Sequence, residues 1–444
     1  MAAAIGGRLV GPDVTVDGAS IDSRDLAPGS LFVPIVDARD GHDFIPGAVE
    51  RGAAAVLTSR PAHGLDVTAI EVDDTAAALL ALGRWARGRL DSEPAVRAVV
   101  GITGSVGKTT TKDLVAATCA TTWRTTASPR SFNNELGVPL TLLNAPDGTE
   151  VAVVEMGARG RGHIALLCEL ARPTIGVVTA VEKVHTEMFG SLEEVAVAKG
   201  ELIEALPADG TAVLDGDKPL VSSMGERTSG RVLRFSVAES PAAGIDLWST
   251  AVELDDELHP SFRLHSPWGE TDVRLAVRGR HNVGNALAAA GAALVTGVDL
   301  AAVVAGLGTA VVSPWRMALG VAPSGARILN DAYNAGPAST QAAVRALADL
   351  GAARPVAVLG VMAELGADGP AAHQAVADLA AELGVRVIAV DAVDYGSDVT
   401  HVAGIDEVMA DLVAGGLGPD VAVLIKGSRV AGLERLAAAL LSGG

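Results

Sequence analysis

Cysteine is almost missing from this chain: only Cys119 and Cys168 occur among 444 residues. Both fall in apolar helical patterns, so no disulfide framework is expected and a reducing compartment fits. Basic residues are in deficit, with 34 Lys and Arg against 53 Asp and Glu and a net charge of −19. That balance speaks against nucleic acid or an anionic membrane as the main partner. Aromatic residues make up 3%; with abundant alanine, this points to many small-residue helices. No run of about twenty apolar residues is free of charge and proline, so no membrane insertion is expected. Met1-Ala2-Ala3-Ala4-Ile5-Gly6-Gly7-Arg8 lacks the apolar core of a signal peptide, and a cytoplasmic location is the expectation. The length allows two to four domains, each able to bury its own core.

What is present is organised around Gly101-Ile102-Thr103-Gly104-Ser105-Val106-Gly107-Lys108-Thr109-Thr110. The β-branched run Ala98-Val99-Val100 before it reads as a buried parallel strand, and Thr111 to Ala120 after it reads as a helix. A strand, a glycine turn and a helix N-terminus together make an anion site, since backbone N–H groups converge and the helix dipole adds positive potential. In that reading Lys108 is a point charge for the β- and γ-phosphates, and the Thr109 hydroxyl faces Mg²⁺. Five residues, not four, separate Gly101 from Gly107, so Gly104 must share in the turn.

Three units are expected, at 1–93, 94–312 and 313–444, with Asp91-Ser92-Glu93-Pro94 as a linker. The class is α/β: a small N-terminal α/β domain, a central P-loop ATPase-like domain with a parallel sheet, and a C-terminal Rossmann-like domain. In the first unit Val14–Val16, Ser30–Pro34, Ala54–Leu57 and Ala69–Val72 read as strands and Ala76–Leu90 as a helix. Its polar loops, carrying Ser23, Arg24, Asp40 and His42, are either substrate loops or ordinary turns. In the central unit Val151–Val154 is a strand ending in Glu155, where the carboxyl edge of a parallel sheet meets its ligand crevice. A carboxylate there suits the metal that bridges nucleotide phosphates. Ser131 to Gly137 is rich in side-chain amides, Asn133 and Asn134 among them. A further strand, Ile175–Thr179, leads to a loop ending at His185. Ser191 and Glu194 form a capping box for the next helix. On that helix Lys199 lies within the apolar stripe of Leu192, Val195, Leu202, Ile203 and Leu206. It must snorkel, meet an acid or be chemically altered. Asn282 and Asn285, three residues apart at a helix start, either reach one ligand or serve as a cap with a solvated neighbour. From 313 onward, strands at 327–330, 356–359, 387–390 and 421–425 alternate with helices, the pattern of a doubly wound sheet. The loops at 331–337, 360–366 and 426–429 come after strand ends.

Together these motifs resemble the Mur ligase family. The resemblance rests on Thr103–Thr110, Phe132-Asn133-Asn134-Glu135-Leu136-Gly137, Glu155-Met156-Gly157, Ala198-Lys199-Gly200-Glu201, His281-Asn282-Val283-Gly284-Asn285 and Asp331-Ala332-Tyr333-Asn334. Asp22-Ser23-Arg24 and Asp40-Gly41-His42-Asp43-Phe44 are similar to the family's uracil-nucleotide domain. Met362, Glu364-Leu365-Gly366 and Lys426-Gly427-Ser428-Arg429 resemble the branch that adds D-alanyl-D-alanine. The Asp-Asn-Pro-Arg signature of the diaminopimelate-adding branch is absent.

The resemblance implies an ATP-dependent, ADP-forming peptide ligase of peptidoglycan precursor synthesis. It would act on UDP-N-acetylmuramoyl-tripeptide and D-alanyl-D-alanine through an acyl phosphate, with two Mg²⁺ ions and as a monomer. It implies nucleotide contacts from Gly104, Ser105, Val106, Gly107, Lys108, Thr109, Thr110, Asn282, Asn285, Arg316 and Asp331. Thr109, Glu155, His185 and a carbamylated Lys199 would hold metal, with Lys108, Lys199, His185 and Asn134 in catalytic positions. Ser23, Arg24, Asp40, His42, Asn133, Asn134, Asn334, Lys426, Ser428 and Arg429 would meet the substrates. Three stretches depart from the family pattern. Thr179 to His185 lacks an asparagine and a glycine, Gly336 replaces an asparagine before Pro337, and Trp315 replaces a glycine before Arg316. Two alternatives stay open: a Mur-type ligase with a different amine or acceptor, and an ATP-binding regulator without catalysis.

Overall fold

The computed structural model describes residues 1–92, 96–182 and 189–443. Among these no helix is long and apolar enough to cross a membrane.

Three sheets succeed one another along the chain. The first has five strands in the order Arg8–Val10, Thr68–Glu71, Ala55–Thr58, Leu31–Phe32, Ala19–Ser20, parallel except at the first pair. The expectation of a strand at Val14–Val16 is corrected: residues 11–18 pair with nothing in a ladder. That segment must travel from one edge strand of the sheet to the other, so it crosses the strand ends instead of lying along them. The helix Thr75–Leu90 is capped by Asp74, whose side chain accepts from the N–H groups of Ala76 and Ala77. It packs on the central unit, and one apolar core runs through both.

The central sheet has nine strands. Its middle is parallel and includes β1 (Ala98–Thr103), β2 (Val151–Glu155) and β3 (Ile175–Val178), all fully buried. Burial on both faces explains their unbroken apolar runs. Three helices of this unit border the site: α1 (Lys108–Ala120), α2 (Leu192–Glu204) and α3 (Asn282–Val295). The parallel sheet expected for this unit is extended at one end by an antiparallel meander of Leu247–Leu254, Pro260–Ser266 and Gly269–Arg274. These strands alternate buried and exposed residues, as a sheet with one wet face requires.

The third sheet runs Ala318–Val321, β4 (Arg327–Asn330), β5 (Val421–Lys426), Arg354–Leu359, Arg386–Val390, Thr400–Val402. Only its first pair is antiparallel, which gives the expected doubly wound arrangement. The carboxyl ends of β4 and β5 face those of β1 and β2 across one cavity. Cys119 and Cys168 are free and buried, and burial pushes each thiol up to about 12.

Candidate active site

The cavity between the central and third units encloses about 620 Å³. On the central side the glycine turn forms as its sequence requires. Gly104 sits at φ +149° and Gly107 at φ +83°, conformations that suit glycine. A methyl group on Gly104 would collide with Thr179 Oγ1, and one on Gly107 would fall 2.5 Å from Asn285 Oδ1. The turn is also tied from outside. Ser105 N–H donates to Ala180 O at 2.8 Å and Thr179 Oγ1 donates to Val106 O at 2.5 Å. Lys108 folds back, its ammonium donating to Gly104 O at 2.6 Å and Ser105 O at 3.2 Å. Its pKa is lowered by burial, with Glu155 opposing and Arg316 adding to the shift.

Glu155 ends β2 as the sequence suggests, almost fully buried. Asn133 Nδ2 donates to its Oε1 at 2.8 Å, while its Oε2 is buried without a partner. A buried carboxylate oxygen with nothing to bind is costly. With the Thr109 hydroxyl lining the same cavity, the two oxygens suit a hard divalent cation. Asn134 turns inward, its Oδ1 accepting from Gly137 N–H at 2.9 Å at the start of the next helix.

Lys199 is 2% exposed on α2, so it does not snorkel, and among the described residues no acid meets it. Burial, aided by the Lys108 charge, drives its pKa well below the lysine value of 10.5. The cap of α2 is half of the expected box. Ser191 Oγ accepts from Glu194 N–H at 3.2 Å, but the Glu194 carboxylate grips Arg161 at 2.6 and 2.7 Å instead. A bidentate guanidinium is a stronger partner than one backbone N–H. Asn282 and Asn285 are chained together: Asn285 Nδ2 donates to Asn282 Oδ1 at 2.7 Å, and Asn282 Nδ2 to Arg278 O at 2.6 Å. Neither caps α3, whose N-cap is His281.

The third unit supplies Arg316, Asp331, Asn334, Lys426, Ser428 and Arg429 to the opposite wall. Buried Lys426 donates to Asp331 Oδ2 at 2.5 Å and to Asn334 O at 2.9 Å. Ser428 Oγ accepts from Ala363 N–H at 2.9 Å and joins two of the loops noted in the sequence. Arg316 reaches across and donates to Thr109 Oγ1 at 3.1 Å.

The first-unit candidates lie apart from this cavity. Arg24 is exposed and paired with Asp22 at 2.8 Å, and it holds that carboxyl down to about 2. His42 is buried, with Nε2 accepting from Ser59 N–H at 3.0 Å, so Nδ1 carries the proton toward Asp40 Oδ1 at 2.6 Å. Beside the Ser23 loop, Asp25 lies 4.0 Å from Arg130 of the central unit. His185 lies outside the described residues, as do Glu93 and Pro94 of the linker. Sequence reasoning passed over Ser131, Arg159, His163 and Tyr333, which also line the cavity. Ser131 and Tyr333 sit inside motifs already singled out, whereas nothing local marks Arg159 or His163.

Family models match three consecutive stretches: "Mur ligase family, catalytic domain" over residues 15–84, "Mur ligase middle domain" over 102–293 and "Mur ligase, glutamate ligase domain" over 315–429. The UDP-N-acetylmuramoyl-tripeptide–D-alanyl-D-alanine ligase of Mycobacterium bovis is 39% identical, covering 95% of this chain and 91% of its own. The chain belongs to the Mur ligase family. The Escherichia coli K12 ligase of the same name is 36% identical over 99% of this chain and 97% of its own. Among solved Mur ligases, a MurF from Acinetobacter baumannii superposes with a TM-score of 0.86 at 28% identity, covering 99% of this chain and 97% of its own. The Thermotoga maritima MurF ligase in complex with ADP gives 0.80 at 26% identity, covering 97% of this chain and 99% of its own. The three-domain α/β architecture expected from the sequence is that of the family.

Proposed function

We propose that this Mur ligase joins D-alanyl-D-alanine to UDP-N-acetylmuramoyl-tripeptide with cleavage of ATP to ADP. The observation that carries the reading is one cavity walled by a phosphate loop with a buried, half-satisfied carboxylate on one side and by cationic side chains of a second domain on the other. The names of the relatives supply the two substrates, and a solved relative binds ADP.

The terminal carboxylate oxygen of the tripeptide attacks the γ-phosphorus, and the bond to the β-phosphate oxygen breaks, leaving ADP and an acyl phosphate. The dipeptide amine then attacks the acyl carbon, loses a proton, and phosphate departs. Two anions must meet in the first step, so positive charge has to surround them. Lys108 leaves its two carbonyl partners in the turn to meet the phosphates, and Arg316 approaches from the other wall. Thr109 and Glu155 would hold Mg²⁺, which when bound draws off charge from the phosphate oxygens. Asn133 keeps Glu155 Oε2 turned to that place by engaging Oε1. Burial favours the uncharged amine of Lys199, and in that form its nitrogen lone pair can take up CO₂ with release of a proton. The resulting carbamate is a carboxylate in a place that disfavours a cation. Asn334, Ser428 and Arg429 face the incoming amine, while Ser23, Arg24, Asp40 and His42 belong to the uridine nucleotide end. The units at 1–93, 94–312 and 313–444 then divide the labour among nucleotide-linked substrate, ATP and amine.

Phosphate release is the test, measured with ATP, Mg²⁺ and the muramoyl tripeptide against a panel of amines. Release that requires D-alanyl-D-alanine supports the reading; release with a different amino acid alone overturns the choice of amine. No release with any amine overturns catalysis.

A further inference from the structure

Arg316 is delivered to the phosphate loop by an unusual piece of backbone. Trp315 and Met317, its two neighbours, both have positive φ, 60° and 52°. Neither is glycine, and such conformations persist only where the surroundings over-determine them. Here they do. The Trp315 ring stacks on the Arg429 guanidinium at 4.5 Å, and the Trp315 carbonyl accepts from Tyr333 N–H at 3.3 Å. Met317 is buried, and its N–H donates to Asp331 Oδ1 at 3.1 Å. Between these anchors the guanidinium of Arg316 lies over the Tyr333 ring, 4.1 Å from its centroid. One edge meets Thr109 Oγ1, while Nε is buried with no acceptor. A buried donor left over on an arginine at a phosphate cavity is a place prepared for an anion. The Tyr333 hydroxyl in turn meets Ser131 Oγ, on the central unit. Ser131 opens the stretch in which Asn133 holds Glu155.

We infer that Tyr333 is a positioning residue for Arg316: its ring sets the plane of the guanidinium, and its hydroxyl, through Ser131, makes that setting depend on the third unit being docked on the central one. Stacking fixes the plane of a guanidinium and leaves its in-plane N–H groups free for oxygen. The chain of contacts Ser131–Tyr333–Arg316–Thr109 crosses between the two units twice. Arg316 therefore faces a phosphoryl group beside Thr109 only when Tyr333 sits against Ser131. The inference rests on the phosphoryl-transfer reading of this cavity.

The test compares Tyr333→Phe, which keeps the ring, with Ser131→Ala, their double variant, and Tyr333→Leu, which removes the ring. Tyr333→Phe and Ser131→Ala are each expected to lower kcat for phosphate release about three- to tenfold, with little change in KM for ATP and in thermal midpoint. Their double variant falls no further than the more impaired single, because both break one link. Tyr333→Leu loses about tenfold or more, the scale of a lost cation–π contact in a shielded site. Multiplying effects in the double variant, or unchanged kcat in both singles, overturns the inference. Where Tyr333→Leu fails to fold, the Phe and Ala pair decides. Hydrogen exchange over residues 313–320 gives a reading that needs no ligase activity. Both singles should speed exchange equally, and unchanged exchange in both overturns the inference even if the intact chain releases no phosphate. Failure of the ligase reading alone appears instead as absent release with normal coupling in exchange.

Discussion

Each wall of the cavity carries a buried lysine, and the two are treated in opposite ways. On the third-unit wall Lys426, at the end of β5, is surrounded by acceptors: Asp331 Oδ2 at 2.5 Å and Asn334 O at 2.9 Å. On the central wall Lys199, 2% exposed in the middle of α2, has burial and the charge of Lys108 acting on it, and both favour the uncharged amine. Lys112, on α1, keeps to the first pattern, donating to Ser128 O at 2.8 Å and Arg130 O at 2.9 Å and pairing with Asp113 at 2.7 Å. A buried ammonium is held in place when it is paired and becomes reactive when it is not. Lys426 and Lys112 are held by their partners, and Lys199, which meets no acid among the described residues, is available to chemistry.

Four experiments put that contrast to the test. The largest effect is expected from Lys108→Ala, whose ammonium has only carbonyl partners in the turn. Ligase turnover should fall by about 10³-fold or more, while the thermal midpoint stays near that of the intact chain. Near-normal turnover would remove the phosphate loop from the mechanism.

Next comes Asp331→Ala, which strands Lys426. Breaking a buried pair from one side costs about 3–5 kcal/mol, so chemical denaturation should show a large loss of stability. A loss well below about 1 kcal/mol would mean that the two lysines are not treated differently after all.

The third is Lys199→Ala, expected to cut turnover about 10²-fold, with part of the rate restored by added formate or acetate filling the vacated space. Lys199→Glu should recover less, since its shorter side chain reaches a different point. Full turnover without added acid would show that Lys199 takes no part.

The smallest effect concerns stability and has a pH signature. In buffer stripped of CO₂, Lys199→Met should melt a few degrees above the intact chain at about pH 7, because an apolar side chain replaces one that resists burial. The folded pKa of Lys199 lies below 10.5, so between the two values the unfolded chain binds the extra proton. The stability of the intact chain therefore rises with pH across that window. The gain from methionine should shrink as pH approaches 10.5 and vanish above it. A gain that does not change with pH would point to packing alone.

Much of the site is legible before any folding is considered, for a local reason. The phosphate loop, the acid at the end of β2 and the misplaced lysine on α2 are each defined within one strand, turn or helix, where spacing dictates direction. The asparagines of α3 are legible as a neighbouring pair, but not as a chain ending on Arg278 O at 2.6 Å. The first sheet reads with a false strand at Val14–Val16 and without its two edge strands, Arg8–Val10 and Ala19–Ser20, because local β-propensity does not reveal that a segment must cross from edge to edge.

The α/β class, the run of three units, the glycine turn ahead of a helix and the oddity of Lys199 are all written in the order of the residues, because periodicity and charge over a few consecutive positions suffice to define them. Which side chains meet is a matter for the folded chain alone. Arg316 and Thr109 are 3.1 Å apart across more than 200 residues of chain, and Tyr333 finds Ser131 over a similar span. The same holds for the pairing of Lys426 and for Lys199 having no acid beside it among the described residues. The burial of a lysine can be read from one helix, but its partner comes from another part of the chain, and only long-range packing brings the two together.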